Sequence, residues 1–458
     1  MSEGYRKMNK NPYLRGNFAP VHDELDVPNL NVSGEIPRDL QGIYLRNGPN
    51  PAFVPLSYTY PFDGDGMIHA VTITNGQAYY RNRYVETREL LKERKAGRAL
   101  YQSILKPAPL EPEWADPEDQ PIAFKNGAFI HIIQYAKKYL AMSEGAQAYV
   151  MSAELKTLGP WQAPGGKQPF NVGPHTRLDA KTGDLWLINY DLLPPYLTIY
   201  QMDKEGKIIA YWDIEKPHST MIHDFVITEN YVIIFDCPIV FDIQQIQRGG
   251  AVLNWRPELG TRIGLFSRKN GKMHWLQSEA FFVFHFANAY EINNKIIVDF
   301  VKHSEFFSTD TKTHPQLSRT IIDLNSGNVT HKILADYLVE FPRLREDLNG
   351  LMHRYIYVIS KTGDPTNQSF TALVKYDAEN QQIKLHDFGP DKEIGEAVFA
   401  PANTNKAEDD GYLLCFVYDK IKNSSELAIL DAVNLDYLAQ IQMPQRIPHG
   451  LHGTWVAQ

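Results

Sequence analysis

The chain has 458 residues, 43% of them hydrophobic, and a formal net charge of −8 at pH 7. This length supports a large core, and an acidic balance without a broad basic surface argues against a nucleic-acid partner. Only two cysteines are present, Cys237 and Cys415, each in an apolar run; they read as buried free thiols in a reducing, cytoplasmic setting, not as a disulfide scaffold.

Residues 1–7 lack the apolar segment of a secretory signal. From about residue 65 onward, hairpin signals dominate. Residues 71–74 lead through Asn75-Gly76 into 78–80. Residues 86–101 carry the best helical spacing, with Leu90, Leu91, Arg94 and Arg98 in register, and Lys92 to Lys95 read as its solvated face. A Pro- and acid-rich stretch at 106–121 reads as a surface excursion or lid. Further hairpins are expected at 225–228 with 231–235, and at 262–268 with 272–275 through Asn270-Gly271. Others are expected at 290–292 with 296–298 through Asn293-Asn294, and at 320–323 with 328–330. The longest apolar run, 231–241, is broken by Asp236 and Pro238 and is too short to cross a bilayer. A second loop, 402–410, resembles the first in composition. Recurring antiparallel hairpins with few helices suggest a sandwich, a barrel or a propeller, and the length favours the propeller.

Four histidines stand in similarly built settings beside strand-like runs: His175 after Gly173-Pro174, His223 before Asp224-Phe225, His285 between Phe284 and Phe286, and His452 between Gly450-Leu451 and Gly453. They are distant in sequence, so they can meet only in a fold closed around an axis. There they would form a metal site, although their spacing matches no local metal motif. His218 and His449 compete for the same duty. His69 reads as structural, and His22, His303, His314, His331 and His386 receive no functional weight. A ring of neutral imidazoles calls for nearby carboxylates to accept the remaining ring N–H groups. Glu144, Glu340 and Glu396 occupy apolar or turn-bounded settings suited to that, though on the residues alone an exposed or salt-bridged role is the better reading for each.

Long strings then carry a resemblance. They are Asn-Pro-Tyr-Leu-Arg-Gly-Asn-Phe-Ala-Pro at 11–20, Val-Ser-Gly-Glu-Ile-Pro at 32–37 and Leu-Arg-Asn-Gly-Pro-Asn-Pro at 45–51. Phe-Asp-Gly-Asp-Gly-Met follows at 62–67, and Arg-Ile-Pro-His-Gly-Leu-His-Gly-Thr-Trp at 446–455. In this order they resemble the carotenoid cleavage oxygenases, non-haem iron enzymes that split double bonds with dioxygen. The resemblance implies one seven-bladed β-propeller over 1–458, with loops and helical segments capping an axial metal site. It implies Fe(II) held by His175, His223, His285 and His452, with Glu144, Glu340 and Glu396 behind them and His449 outside the set. It also implies O2 and an apolar polyene or stilbene-like substrate, with no obligate protein partner. Stilbene-cleaving members carry a Lys and a Tyr that bind a phenolic oxygen; the matching positions here are Ser143 and Ile104. That difference favours a carotenoid or apocarotenoid, with a stilbenoid as the alternative. A nonpolar rim such as 104–110 would suit contact with a membrane surface.

Overall fold

In the computed structural model, residues 11–116, 123–307, 313–362, 369–404 and 406–458 are described. The signal reading of residues 1–7 and the part of the first loop at 117–121 lie outside them.

The strands form seven antiparallel blades around one axis. From the axis outward, blade 2 runs His131–Tyr135, Lys138–Met142, Tyr149–Met151, Thr157–Pro160, and blade 3 runs Thr176–Leu178, Leu185–Tyr190, Leu197–Met202, Ile208–Asp213. Blade 4 begins with Val226–Ile227, blade 5 with Phe286–Ile292, blade 6 with Val339–Arg343 and blade 7 with Val398–Pro401. Blade 1 is built from both chain ends. Its innermost strand is the C-terminal Gly453–Ala457, which pairs with Gly42–Arg46 so that Tyr44 lies opposite Trp455 on one side and Val71 on the other. A second stitch adds Val32–Gly34 to the outer edge of blade 7, with Ser33 opposite Gln440. Closing the ring in this way pairs strand edges that an open sheet would leave exposed.

Burial is deepest in the middle strands of the blades and least at the rim. Every residue of Leu185–Tyr190 is buried, because neighbouring blades cover both faces of that strand. Gln77–Tyr84 alternates, as expected of a half-covered strand. Gln382–Asp387, an outermost strand, is almost wholly exposed.

The predicted hairpins form. Asn75 and Gly76 both take positive φ (52° and 74°), as do Asn293 and Asn294 (50° and 58°), which the tight turns of the primed type require. At Asn270-Gly271 only Gly271 does so; the Ser267 N–H instead bonds to the Lys272 carbonyl across a longer loop. The helix is shorter than 86–101. It spans Arg88–Ala96, because Thr87 Oγ1 caps its start from 3.1 Å and left-handed Gly97 ends it. Glu93 departs from the expected solvated face. It is buried, accepts the Leu100 N–H at 2.9 Å and pairs with Lys125 at 2.7 Å.

The cap over the axis comes from segments around Tyr60–Phe62 and Ile104–Leu105, together with the short helix Ile243–Gln247. The stretch after Ala402 is no lid. Glu408 accepts the backbone N–H groups of Arg354 and Tyr355, and Asp409 pairs with Lys375 at 2.6 Å, so it packs on blade 6. Both cysteines are free and buried. Among the described residues, no helix is long and apolar enough to cross a membrane.

Candidate metal centre

The innermost strand of every blade starts near the axis, and the residue at or just ahead of that start faces the centre. His452 immediately precedes Gly453–Ala457, His175 precedes Thr176–Leu178, and His285 precedes Phe286–Ile292. His223 stands just ahead of Val226–Ile227, Glu340 lies in Val339–Arg343, and Glu396 comes just before Val398–Pro401. Blade 2 contributes His131. Distant residues thus converge because the fold repeats one position around a ring.

The four predicted histidines meet. Each offers one nitrogen, and these nitrogens all lie within 4.8 Å of one another. Ring centroids are 4.5 Å apart for His175 and His452, and 4.7 Å for both His175–His223 and His285–His452. Close approach of the blades needs glycine. A Cβ on Gly453 would meet the Leu45 carbonyl at 2.5 Å, and one on Gly450 would meet Arg46 Nε at 2.5 Å.

All three predicted glutamates sit behind ring histidines. Glu144 Oε2 lies 2.7 Å from His223 Nδ1, Glu340 Oε2 lies 2.6 Å from His285 Nδ1, and Glu396 Oε1 lies 2.9 Å from His452 Nδ1. A carboxylate there holds the proton on Nδ1 and leaves Nε2 with a lone pair for the centre. The Tyr190 hydroxyl donates to Glu144 at 2.7 Å, and the Gly453 N–H donates to Glu396 at 2.8 Å. Burial works to raise the pKa values of Glu340 and Glu396. The histidines beside them, and Arg343 beside Glu396, win and hold both well below the usual carboxylate range. Burial is also the largest influence on His175 and His452. It pulls His175 well below the usual imidazole value and brings His452 down to about 4, so both are neutral near pH 7. Burial pulls His223 down too, but the Glu144 charge and hydrogen bond outweigh it and the net shift is upward.

The structure brings further residues to the site that the sequence pattern does not mark. His303, given no weight in the sequence, donates through Nε2 to the second oxygen of Glu340 at 2.8 Å. Nothing in its polar setting signals this; the bond depends on the pairing of Phe282 with His303 across two segments. His131 was missed altogether. Its signal was available, since a lone polar residue in Phe129-Ile130-His131-Ile132-Ile133 copies the setting of His285. Asp224 approaches His175 Nδ1 at 3.9 Å, held by Arg177 and by the N–H groups of Phe225 and Phe286. The competitors fall away. His218 is exposed, and His449 stacks on Phe18 with centroids 4.6 Å apart. His69 is buried against the Tyr80 hydroxyl at 2.7 Å, in the structural role expected of it.

Two cavities meet the ring. The larger, about 1590 Å³, touches His223, His285 and His452 and exceeds the usual range for small-molecule pockets. Its walls next to the ring are aromatic: Phe284 lies 5.7 Å from His223, and Phe341 lies 5.0 Å from His285 and 5.2 Å from His452. Ser143 and Ile104 also line it. The smaller cavity, about 120 Å³, touches His131, His175, His285 and His452 and is ringed by Arg177, Asp224, Arg343 and Glu396.

The donor set fits a metal ion. His175 Nε2 and His223 Nε2 face each other at 3.2 Å, and His285 Nε2 is buried without a hydrogen-bond partner among the described residues. Converging lone pairs of this kind repel unless a cation stands between them. Four imidazoles can hold such an ion while leaving room in its coordination for another group.

The chain is similar to known proteins over almost its whole length. The profile of the family described as Retinal pigment epithelial membrane protein matches residues 18–457. A carotenoid cleavage oxygenase of Mycobacterium tuberculosis is 31% identical, with 97% of each chain covered. The apocarotenoid-15,15′-oxygenase of Synechocystis is 30% identical, covering 99% of this chain and 98% of that one. The crystal structure of a Pseudomonas brassicacearum lignostilbene dioxygenase superposes with a TM-score of 0.91 at 26% identity, covering 98% and 99% of the two chains.

Proposed function

This chain belongs to the carotenoid oxygenase family that carries the description Retinal pigment epithelial membrane protein, and from that premise we propose that it holds Fe(II) in the four-histidine ring and cleaves an alkene bond of a carotenoid or apocarotenoid. Membership makes it a double-bond-cleaving dioxygenase. The observation that carries the rest is the opening of a large, aromatic-walled cavity directly onto three of the four ring histidines.

His175, His223, His285 and His452 would hold the ion through their central nitrogens. Bound there, Fe(II) would supply the electrons with which O2 attacks the alkene. The overall reaction balances without an external reductant: R–CH=CH–R′ and O2 give R–CHO and R′–CHO. Glu144, Glu340 and Glu396 keep the Nδ1 protons in place and offset the charge that neutral imidazoles leave on the ion. Phe284 and Phe341 crowd the ring and exclude water from the reacting carbons. The cavity walls hold the substrate against the ring, so that one bond lies nearest the centre.

A stilbenoid substrate is the second reading, favoured by the 0.91 TM-score to the lignostilbene dioxygenase. The lining weighs against it. Ser143 and Ile104 face the cavity at the positions where the resemblance places the phenol-binding Lys and Tyr, and neither supplies a charge for a phenolic oxygen.

Among the described residues, the large apolar side chains exposed on the cavity lining are Leu91 (49% exposed), Leu193 (62%) and Phe307 (52%). Ile104 and Leu105, from the rim expected at 104–110, are half-buried. We therefore assign any membrane contact to Leu91, Leu193 and Phe307.

The deciding experiment is anaerobic loading with Fe(II), followed by exposure in air to a carotenoid, an apocarotenal and a hydroxystilbene, with products read by mass. Aldehydes from the polyenes are expected. Cleavage of the hydroxystilbene alone would establish the second reading, and no cleavage of any would end both.

A further inference from the structure

His131 opens the innermost strand of blade 2, the place that the ring histidines hold in blades 1, 3, 4 and 5. Its Nδ1 lies 3.1 Å from the Pro174 carbonyl oxygen. A carbonyl only accepts, so Nδ1 carries the proton and Nε2 carries the lone pair. That Nε2 is buried without a hydrogen-bond partner among the described residues. The ring stands 5.8 Å from His175 and 5.4 Å from His452, centroid to centroid, yet outside the cluster of four nitrogens. An apolar side chain would fill this space without stranding a lone pair, which points to the one bond the imidazole does make.

That bond reaches the histidine that most needs support. His223, His285 and His452 each have a carboxylate within hydrogen-bond distance of Nδ1. His175 does not: Asp224 stays 3.9 Å away, engaged by Arg177 and two backbone N–H groups. Pro174 immediately precedes His175, so its carbonyl belongs to the peptide from which His175 projects. We propose that His131 is a positioning residue for His175, fixing through the 174–175 peptide what the three glutamates fix directly on the other rings. This rests on the reading of the ring as a metal site.

The test is Co(II) titration of the apoprotein, following affinity and the visible absorption spectrum, with thermal melting as the check on folding. His131→Asn keeps an amide N–H where Nδ1 stands. His131→Gln moves its amide toward the Nε2 position, and His131→Phe keeps only the ring volume. Cobalt affinity is expected to fall about tenfold or more in His131→Phe and His131→Gln, with an altered spectrum, and to stay within about threefold of wild type in His131→Asn. Wild-type affinity and spectrum in His131→Phe would overturn the assignment, as would His131→Asn binding as weakly as His131→Gln; the latter comparison decides even where His131→Phe does not fold. Wild-type protein that takes up no cobalt would remove the metal reading itself, whereas equal uptake by wild type and variants would remove only the role of His131.

Discussion

Glu340 Oε2 lies 2.6 Å from His285 Nδ1, inside blade 6 and facing a histidine of blade 5. The same carboxylate accepts from His303 at 2.8 Å and from the Phe341 N–H at 2.6 Å, so it is fully engaged and fixed in one orientation. Glu340→Gln can keep some of these bonds but loses the charge. Its metal affinity is expected to fall about 10- to 100-fold, with turnover falling alongside and a near-normal melting curve. Loss of the folded state on this one change would make Glu340 a structural carboxylate instead.

His223→Ala removes one of the two nitrogens that face each other at 3.2 Å and leaves Glu144 without its imidazole. Both iron retention and turnover are expected to be lost. Iron content after gel filtration checks this, and an unchanged content would take His223 out of the ligand set.

Asp299 is a fully buried carboxylate that accepts from Arg319 Nε at 2.6 Å and pairs with His353 Nε2 at 3.0 Å. Burial works to raise its pKa, but the Arg319 hydrogen bonds and the adjacent His353 prevail and hold it below its ordinary value of 3.8. A depressed folded-state pKa means the stabilisation is fully present above the unfolded value and is lost as pH falls through the folded one. Asp299→Asn is expected to cost about 3–5 kcal/mol near neutral pH, since it leaves a cation under-compensated in the interior. The gap between wild type and variant should narrow below about pH 4. Urea melts at pH 7, 4 and 3 measure it, and a gap that widens on acidification would contradict the assignment.

Leu193 and Phe307 expose apolar surface on the cavity lining. If these residues seat the cavity mouth on a bilayer, wild type will float with phosphatidylcholine liposomes, and the Leu193→Ser, Phe307→Ser pair will float several-fold less. Wild type that stays at the bottom of the gradient would end the idea.

Ser143→Lys, combined with Ile104→Tyr, places a cation and a phenol on the cavity wall where serine and isoleucine now stand. The ratio of kcat/KM for a hydroxystilbene over an apocarotenal is expected to rise about tenfold or more, the scale of a charge-assisted hydrogen bond. An unchanged ratio would mean that these positions do not set substrate choice.

The sequence by itself determined the local elements and marked most of the residues that gather at the candidate site. Asn75-Gly76 and Asn293-Asn294 specify tight hairpins because those residues tolerate positive φ, a property that travels with the residue. Thr87 and Gly97 bound a helix for the same local reason. The settings of His175, His223, His285 and His452 marked them, and the long motif strings singled them out from fifteen histidines. Only the tertiary structure decided what depends on distance between remote segments. It placed His303 on Glu340, buried Glu93 against Lys125, packed the loop after Ala402 on blade 6, and brought His131 beside two ring histidines. None of these follows from local propensity, because each joins segments that are remote in the chain and meet only when the propeller closes.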